Sequence, residues 1–163
     1  MTVLDKGEAE IREFIKISKT RPFVVKDQGY LIPKKCVFNR IIGDSNLELR
    51  FANYLESCED IVSYVKNYFA VHFKIDYKNA DGDISNFYPD FLVKVDSKNV
   101  YVVETKGRED LDDPLKIERL KQWCKDINEA QTKIRYSWLY IKEDDFDAQK
   151  LHSFKQLITL FKE

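Results

Sequence analysis

The chain has 163 residues, a length that suits one domain with a core of its own. Hydrophobic residues make up 44% of it and aromatic residues 13%, which excludes a disordered chain. Its 27 basic and 28 acidic residues nearly cancel, so global charge gives no case for a nucleic-acid partner, and any such surface has to come from local arrangement. Cys36, Cys58 and Cys124 are far apart and form no C-x-x-C pair, and His72 and His152 lie distant from them. That pattern argues against a zinc site or a disulfide framework and fits a reduced, cytoplasmic setting. No apolar run approaches the roughly 18 residues of a membrane span, and the polar, acidic first ten residues do not read as a signal peptide.

In chain order, residues 7–19 carry Ile11, Phe14, Ile15 and Ser18 at helical spacing. Residues 21–43, broken by Pro22, Gly29, Pro33 and Gly43, read as irregular. Residues 45–58 predict an amphipathic helix capped by Ser45 or Asn46, with Leu47, Phe51, Tyr54, Leu55 and Cys58 as its apolar stripe. Residues 68–77 read as a strand in which Phe69, Val71, Phe73 and Ile75 share a face, with His72 pointing the other way as a structural or exposed side chain. Residues 79–83 form a loop, and 87–95 and 99–106 form two strands joined by the turn Asp96-Ser97-Lys98. Asp113-Pro114 opens a helix with Leu120, Trp123, Cys124 and Ile127 on its apolar side. Residues 134–141 are a strand, and Leu151, Phe154, Ile158 and Phe161 mark a last helix. The expected organisation is an N-terminal helix and basic arm over 1–44, then an α/β core over 45–163 with a mixed sheet flanked by helices.

The chemistry gathers in Tyr88-Pro89-Asp90 and Glu104-Thr105-Lys106. An acid-x-Lys triplet is weak by itself, since Asp76-Tyr77-Lys78 and Asp96-Ser97-Lys98 share the pattern. The triplet at 104–106 differs because it prolongs Val100-Tyr101-Val102-Val103, an apolar run of the kind found in buried central strands. Glu104 and Lys106 are two apart and so share a face. A three-residue turn at 96–98 pairs 95 with 99 and thereby 90 with 104, which sets Asp90 opposite Glu104 with Lys106 beside them. Two adjacent carboxylates repel unless a cation lies between them, and Mg²⁺ favours such oxygen ligands. An interstrand salt-bridge cluster is the other use of the same residues. Glu48 lies at the edge of the apolar stripe of the 45–58 helix, where it either reaches that site or stands partly exposed.

Helix with Glu48, Pro89-Asp90, Glu104-Thr105-Lys106, then helix and strand, resembles the PD-(D/E)XK nuclease fold. More narrowly, Arg21-Pro22-Phe23-Val24-Val25-Lys26, Phe38-Asn39-Arg40-Ile41-Ile42-Gly43-Asp44, Phe87-Tyr88-Pro89-Asp90-Phe91, Val103-Glu104-Thr105-Lys106-Gly107 and Leu120-Lys121-Gln122-Trp123-Cys124 look like the C-terminal endonuclease domain of the restriction (Res) subunit of type III restriction enzymes. The likeness covers roughly residues 10–160. It implies a restriction-endonuclease-like fold and cleavage of double-stranded DNA to a 5′-phosphate and a 3′-hydroxyl. It implies Mg²⁺ as cofactor, with Mn²⁺ able to substitute. Asp90, Glu104 and the Thr105 carbonyl become metal ligands, Lys106 the catalytic lysine and Glu48 an extra acid and ligand. The implied partners are a helicase domain in the same longer chain and methyltransferase (Mod) subunits. The sequence holds no G-x-x-x-x-G-K-[ST] loop, so ATP enters only through a motor outside these residues. The alternatives are a catalytically silent module that binds DNA or docks the motor, and another nuclease on the same fold.

Residues 16–50 add eight basic residues against Asp27, Asp44 and Glu48, interleaved with Phe23, Tyr30 and Phe38. This arm either tracks DNA phosphates, packs against a motor domain or is solvated. Lys116, Arg119 and Lys121 either face a DNA backbone or, the better reading, form a solvated helix face; Gln122 stands where some nucleases of the resembled fold carry a helix glutamine near the site, and reads better as a surface polar residue.

Overall fold

The computed structural model describes residues 11, 14–25 and 29–162. Most of the helix expected over 7–19 lies outside them; within them the segment carries a single 3-10 turn at Ile17–Lys19. The irregular stretch after it contains two short strands, Tyr30–Leu31 (β1) and Ile41–Ile42 (β2), paired antiparallel.

Helix Asn46–Ser57 (α1) follows, as its stripe predicts, with Leu47, Phe51 and Leu55 buried. Ser45 starts it by accepting the Glu48 amide on its Oγ at 3.2 Å. The Glu48 carboxylate returns to the Asp44 amide at 3.0 Å. Such reciprocal capping satisfies amides that the first turn otherwise leaves bare, and the cap contributes about 1 kcal/mol.

Next comes Ser63–Lys66 (β3), a strand that periodicity did not single out. The strand expected over 68–77 is a correction: Phe69–Val71 form a 3-10 turn ended by His72 in the left-handed region (φ 63°), and only Ile75–Lys78 (β4) is extended. Alternating apolar residues arise from a turn followed by a strand as readily as from one continuous strand, and period alone does not separate the two. Strand Ile84–Phe87 (β5) closes an antiparallel hairpin with β4, through a turn where Gly82 adopts φ +90°.

The expected strand 87–95 is likewise interrupted. The chain leaves the hairpin at Phe87, passes through Tyr88-Pro89-Asp90 and resumes as Phe91–Lys94 (β6). Pro89 has no amide for a ladder bond, so the break falls where backbone chemistry permits it. Strand Asn99–Lys106 (β7), helix Asp113–Ala130 (α2) and strand Arg135–Lys142 (β8) come within a residue or two of their expected bounds. A short helix, Glu143–Asp147 (α3), precedes the last one, Phe154–Phe161 (α4).

The central sheet runs β3-β6-β7-β8, antiparallel except for the parallel pair β7-β8. It separates two apolar clusters. Phe51, Leu55, Tyr64, Phe91, Val103, Phe154 and Leu157 bury one face beneath α1 and α4. Ile75, Tyr77, Phe87, Val102, Leu120 and Cys124 bury the other against α2 and the β4-β5 hairpin. A mixed α/β sheet with helices on both faces is the architecture expected from the sequence. Among the described residues no helix is long and apolar enough to cross a membrane.

Candidate active site

The turn before β7 sets the register of the site. Asp96 accepts the amides of Lys98 (2.7 Å) and Asn99 (2.8 Å), and the Val95 amide donates to the Asn99 carbonyl at 3.0 Å. That three-residue turn pairs Phe91 with Val103 and Leu92 with Val102, the register the parity count requires. One step further puts Asp90 opposite Glu104, and the Asp90 amide donates to Glu104 Oε2 at 3.3 Å.

Asp90 stands where the chain enters β6, and its carboxylate ties that entry to β7 and β3. Oδ2 accepts from the Thr105 amide at 2.9 Å and from Thr105 Oγ1 at 2.6 Å. Oδ1 lies 3.3 Å from the Lys66 ammonium. Asn67 braces this corner: its amide donates to the Asp90 carbonyl at 2.7 Å, and its Nδ2 donates to the Pro89 carbonyl at 2.8 Å.

Glu48 reaches the same corner from the first turn of α1. Its Oε2 is 2.9 Å from the Lys66 ammonium, so Lys66 bridges Glu48 and Asp90. Lys66 is the principal residue missed by sequence reasoning. The signal was available: Ile61-Val62-Ser63-Tyr64-Val65 is an apolar run that ends on a charge, as Val100-Tyr101-Val102-Val103 does.

Lys106 is placed differently from the expectation that it stands beside Asp90. Its ammonium lies 2.8 Å from Asp113, a buried carboxylate at the start of α2, and 3.3 Å from Asp110. Lys116 shares the same two acids. Other basic residues weighed for DNA contact are engaged within the fold. Arg119 Nε donates to the Asp76 carbonyl, Lys121 stands 4.6 Å from the Trp138 ring centroid, and Arg40 stands 4.8 Å from that of Tyr30. Arg50 pairs with Glu143 and Asp147, and Lys35 donates to the Cys58 carbonyl. Gln122 is exposed and bonds Asp126 at 2.6 Å.

The electrostatics follow from this crowding. Burial raises the Glu104 carboxyl well above the ordinary glutamate range, and the Asp90 charge adds to that rise against the relief from Lys106 and Lys66. Burial also raises Glu48, opposed by Lys66 and helped by Asp90. Burial works to lower Lys66, but Asp90 and Glu48 outweigh it, and its pKa stands above the ordinary lysine value. Asp113 and Asp110 similarly overcome burial and raise Lys106.

Linkage gives the Glu104 shift a consequence. A carboxyl whose pKa is raised on folding binds more protons folded than unfolded, so stability falls as pH climbs from the unfolded value through the folded one. In EDTA, Glu104→Gln is expected to melt above wild type at pH 7, with the gap closing near about pH 4, below the unfolded pKa. Thermal melts across that range check it; a gap that widens toward acid pH contradicts the assignment.

Among the described residues no group of three or more His, Cys, Asp or Glu is arranged to hold a metal ion. The donor chemistry fits a cation at the Asp90–Glu104 pair, where two carboxylates crowd and one is pushed toward its neutral form. Glu48 is held by Lys66.

A mixed sheet that delivers two acids and a lysine from the ends of neighbouring strands defines a restriction-endonuclease-like fold. A family model described as an endonuclease domain matches residues 34–143, about two thirds of the chain. The chain belongs to that endonuclease-domain family. The match takes in Glu48, Lys66, Asp90, Glu104, Lys106 and Asp113. No curated protein and no solved structure gave a significant match.

Proposed function

We propose that this chain is the Mg²⁺-dependent endonuclease domain of a type III restriction enzyme, acting on phosphodiester bonds of double-stranded DNA. The observation that carries the reading is the meeting of Asp90 and Glu104 where β6 begins and β7 ends, joined by the Asp90 amide, with burial raising Glu104 and the Asp90 charge adding to the rise. Asp90 and Glu104, with the Thr105 carbonyl, would hold the ion; Glu48 adds negative charge from α1. A bound divalent ion would polarise the phosphodiester, ease ionisation of water and stabilise the leaving oxygen.

The chain's own residues do the rest. Thr105 fixes the Asp90 carboxylate by two hydrogen bonds, so the acid stays in one rotamer. Asn67 holds the strand entry that carries Asp90. Lys106, on the same face of β7 as Glu104, supplies positive charge for the phosphate as water adds at phosphorus. To do so its ammonium leaves Asp113 and Asp110, both within 3.3 Å. The bond to the 3′ oxygen breaks, that oxygen takes a proton, and the products are a 5′-phosphate and a 3′-hydroxyl. A helicase domain, methyltransferase subunits that read the sequence, and ATP acting only through that helicase complete the proposed assembly.

Nicking of supercoiled plasmid at high protein concentration with Mn²⁺ tests this. Wild type is expected to nick, and Lys106→Ala to lose on the order of a hundredfold or more while keeping its circular dichroism. A Lys106→Ala that nicks at the wild-type rate removes the assigned role of Lys106. A wild type that binds DNA and never nicks, with or without partner subunits, favours the silent module.

A further inference from the structure

We propose that Lys66 is a fixed cation of the acid cluster, filling the gap between Glu48 and Asp90 and thereby limiting the site to one divalent ion. The limit to one ion rests on the metal-dependent reading above, while the role as fixed cation stands on the geometry alone. Lys66 ends β3 with 2% of its surface exposed, beside the first turn of α1 and the entry to β6. Its ammonium is 2.9 Å from Glu48 Oε2 and 3.3 Å from Asp90 Oδ1, so it contacts one acid from each of two elements, and it lies 5.4 Å from the Phe91 ring centroid. A surface lysine would give up such a pair to water. This one is enclosed, and uncompensated charge at its position is costly.

The charge balance points to its function. Glu48, Asp90 and Glu104 supply three negative charges when ionised, and Lys66 returns one. Lys106 eases Glu104 but leaves this count unchanged, since it and Lys116 together offset Asp113 and Asp110. Two charges remain, the amount one divalent ion neutralises. A second ion would have to sit against a buried ammonium only a few ångströms away, where Coulomb repulsion is strong. Lys66 is therefore a positioning residue: it holds Glu48 and Asp90 at a fixed separation before any ion arrives and occupies the place where another would bind.

The test uses the whole 163-residue chain in three forms: wild type, Lys66→Met, and Lys66→Met with Glu48→Gln, in which the charge balance is restored. Bound Mn²⁺ is counted from the loss of the free-ion electron paramagnetic resonance signal, and melting is followed in EDTA. The expected counts are one ion for wild type, two for Lys66→Met and one for the double variant. In EDTA, Lys66→Met is expected to melt about 10 °C below wild type, and the double variant to recover at least half of that loss. A residue that only fills space would show no such charge-specific recovery. Lys66→Met that binds one ion with wild-type affinity and melts with wild type overturns the proposal. If wild type binds no Mn²⁺, the metal reading and the one-ion limit fall together, and the EDTA melts decide the fixed-cation role: recovery supports it and no recovery overturns it. Should Lys66→Met not fold, the double variant decides in its place, its folding supporting the proposal and its failure to fold overturning it.

Discussion

Replacing Asp90 with Asn is expected to lower plasmid nicking by on the order of a thousandfold. The substitution is nearly isosteric. The remaining carbonyl oxygen still accepts from the Thr105 amide and hydroxyl, which hold this side chain at 2.9 and 2.6 Å. What disappears is the negative charge that the proposed cation needs and that adds to the burial-driven rise of Glu104. Stability is expected to fall modestly, because the amide nitrogen then faces the Lys66 ammonium where Oδ1 stood at 3.3 Å, a cost partly offset by relief of repulsion against Glu104 and by the Glu48 contact that Lys66 keeps at 2.9 Å. Rate and melting temperature therefore separate: activity collapses while the fold persists. A variant that nicks within tenfold of wild type would remove Asp90 from the chemistry.

The largest effect on stability is expected next door. Phe91 is fully buried, packed between α1 and the sheet, with its ring centroid 5.3 Å from that of Phe51 and 6.4 Å from that of Tyr64. Phe91→Ala leaves a ring-sized cavity at the centre of the cluster under α1 and is expected to cost about 3–5 kcal/mol, read from urea denaturation. Phe91 also underlies Lys66 and follows Asp90 directly. Nicking should therefore fall even under conditions where the variant remains folded. A cost below about 1 kcal/mol would mean that the core does not close over this residue as described.

The connection between these two residues shows which parts of the molecule the sequence discloses. The 96–98 turn fixes the parity of two strands, and parity depends only on counting, so the β6–β7 register that leads from Phe91–Val103 toward Asp90 and Glu104 was legible. Helix α1 was legible because its apolar stripe, its cap and its period agree. Strand β3 was not, since four residues are too few for a period to stand out, and three of them are buried without alternation. Missing β3 meant missing Lys66, although a charge at the end of an apolar run had already drawn attention to Glu104. The direction of the Lys106 side chain was hidden for another reason. A long flexible chain chooses among several acids, and Asp113, brought close by the turn between β7 and α2, is a tertiary neighbour that strand alternation does not reveal.

The same limit bears on the cluster as a whole. The sequence offers many carboxylates, and only the fold shows that Glu48 and Asp90 share one ammonium while Asp113 and Asp110 share two others. Lys66 thus ties Glu48 to Asp90, Lys106 and Lys116 tie Asp110 to Asp113, and the proposed metal pair of Asp90 and Glu104 shares Asp90 with the first of these groups.

Isothermal titration with Mn²⁺ is the measurement closest to that central claim. Wild type is expected to show weak, saturable binding, and Asp90→Asn none at the same concentrations. Equal binding by the two proteins would contradict a cation site built on Asp90 and Glu104.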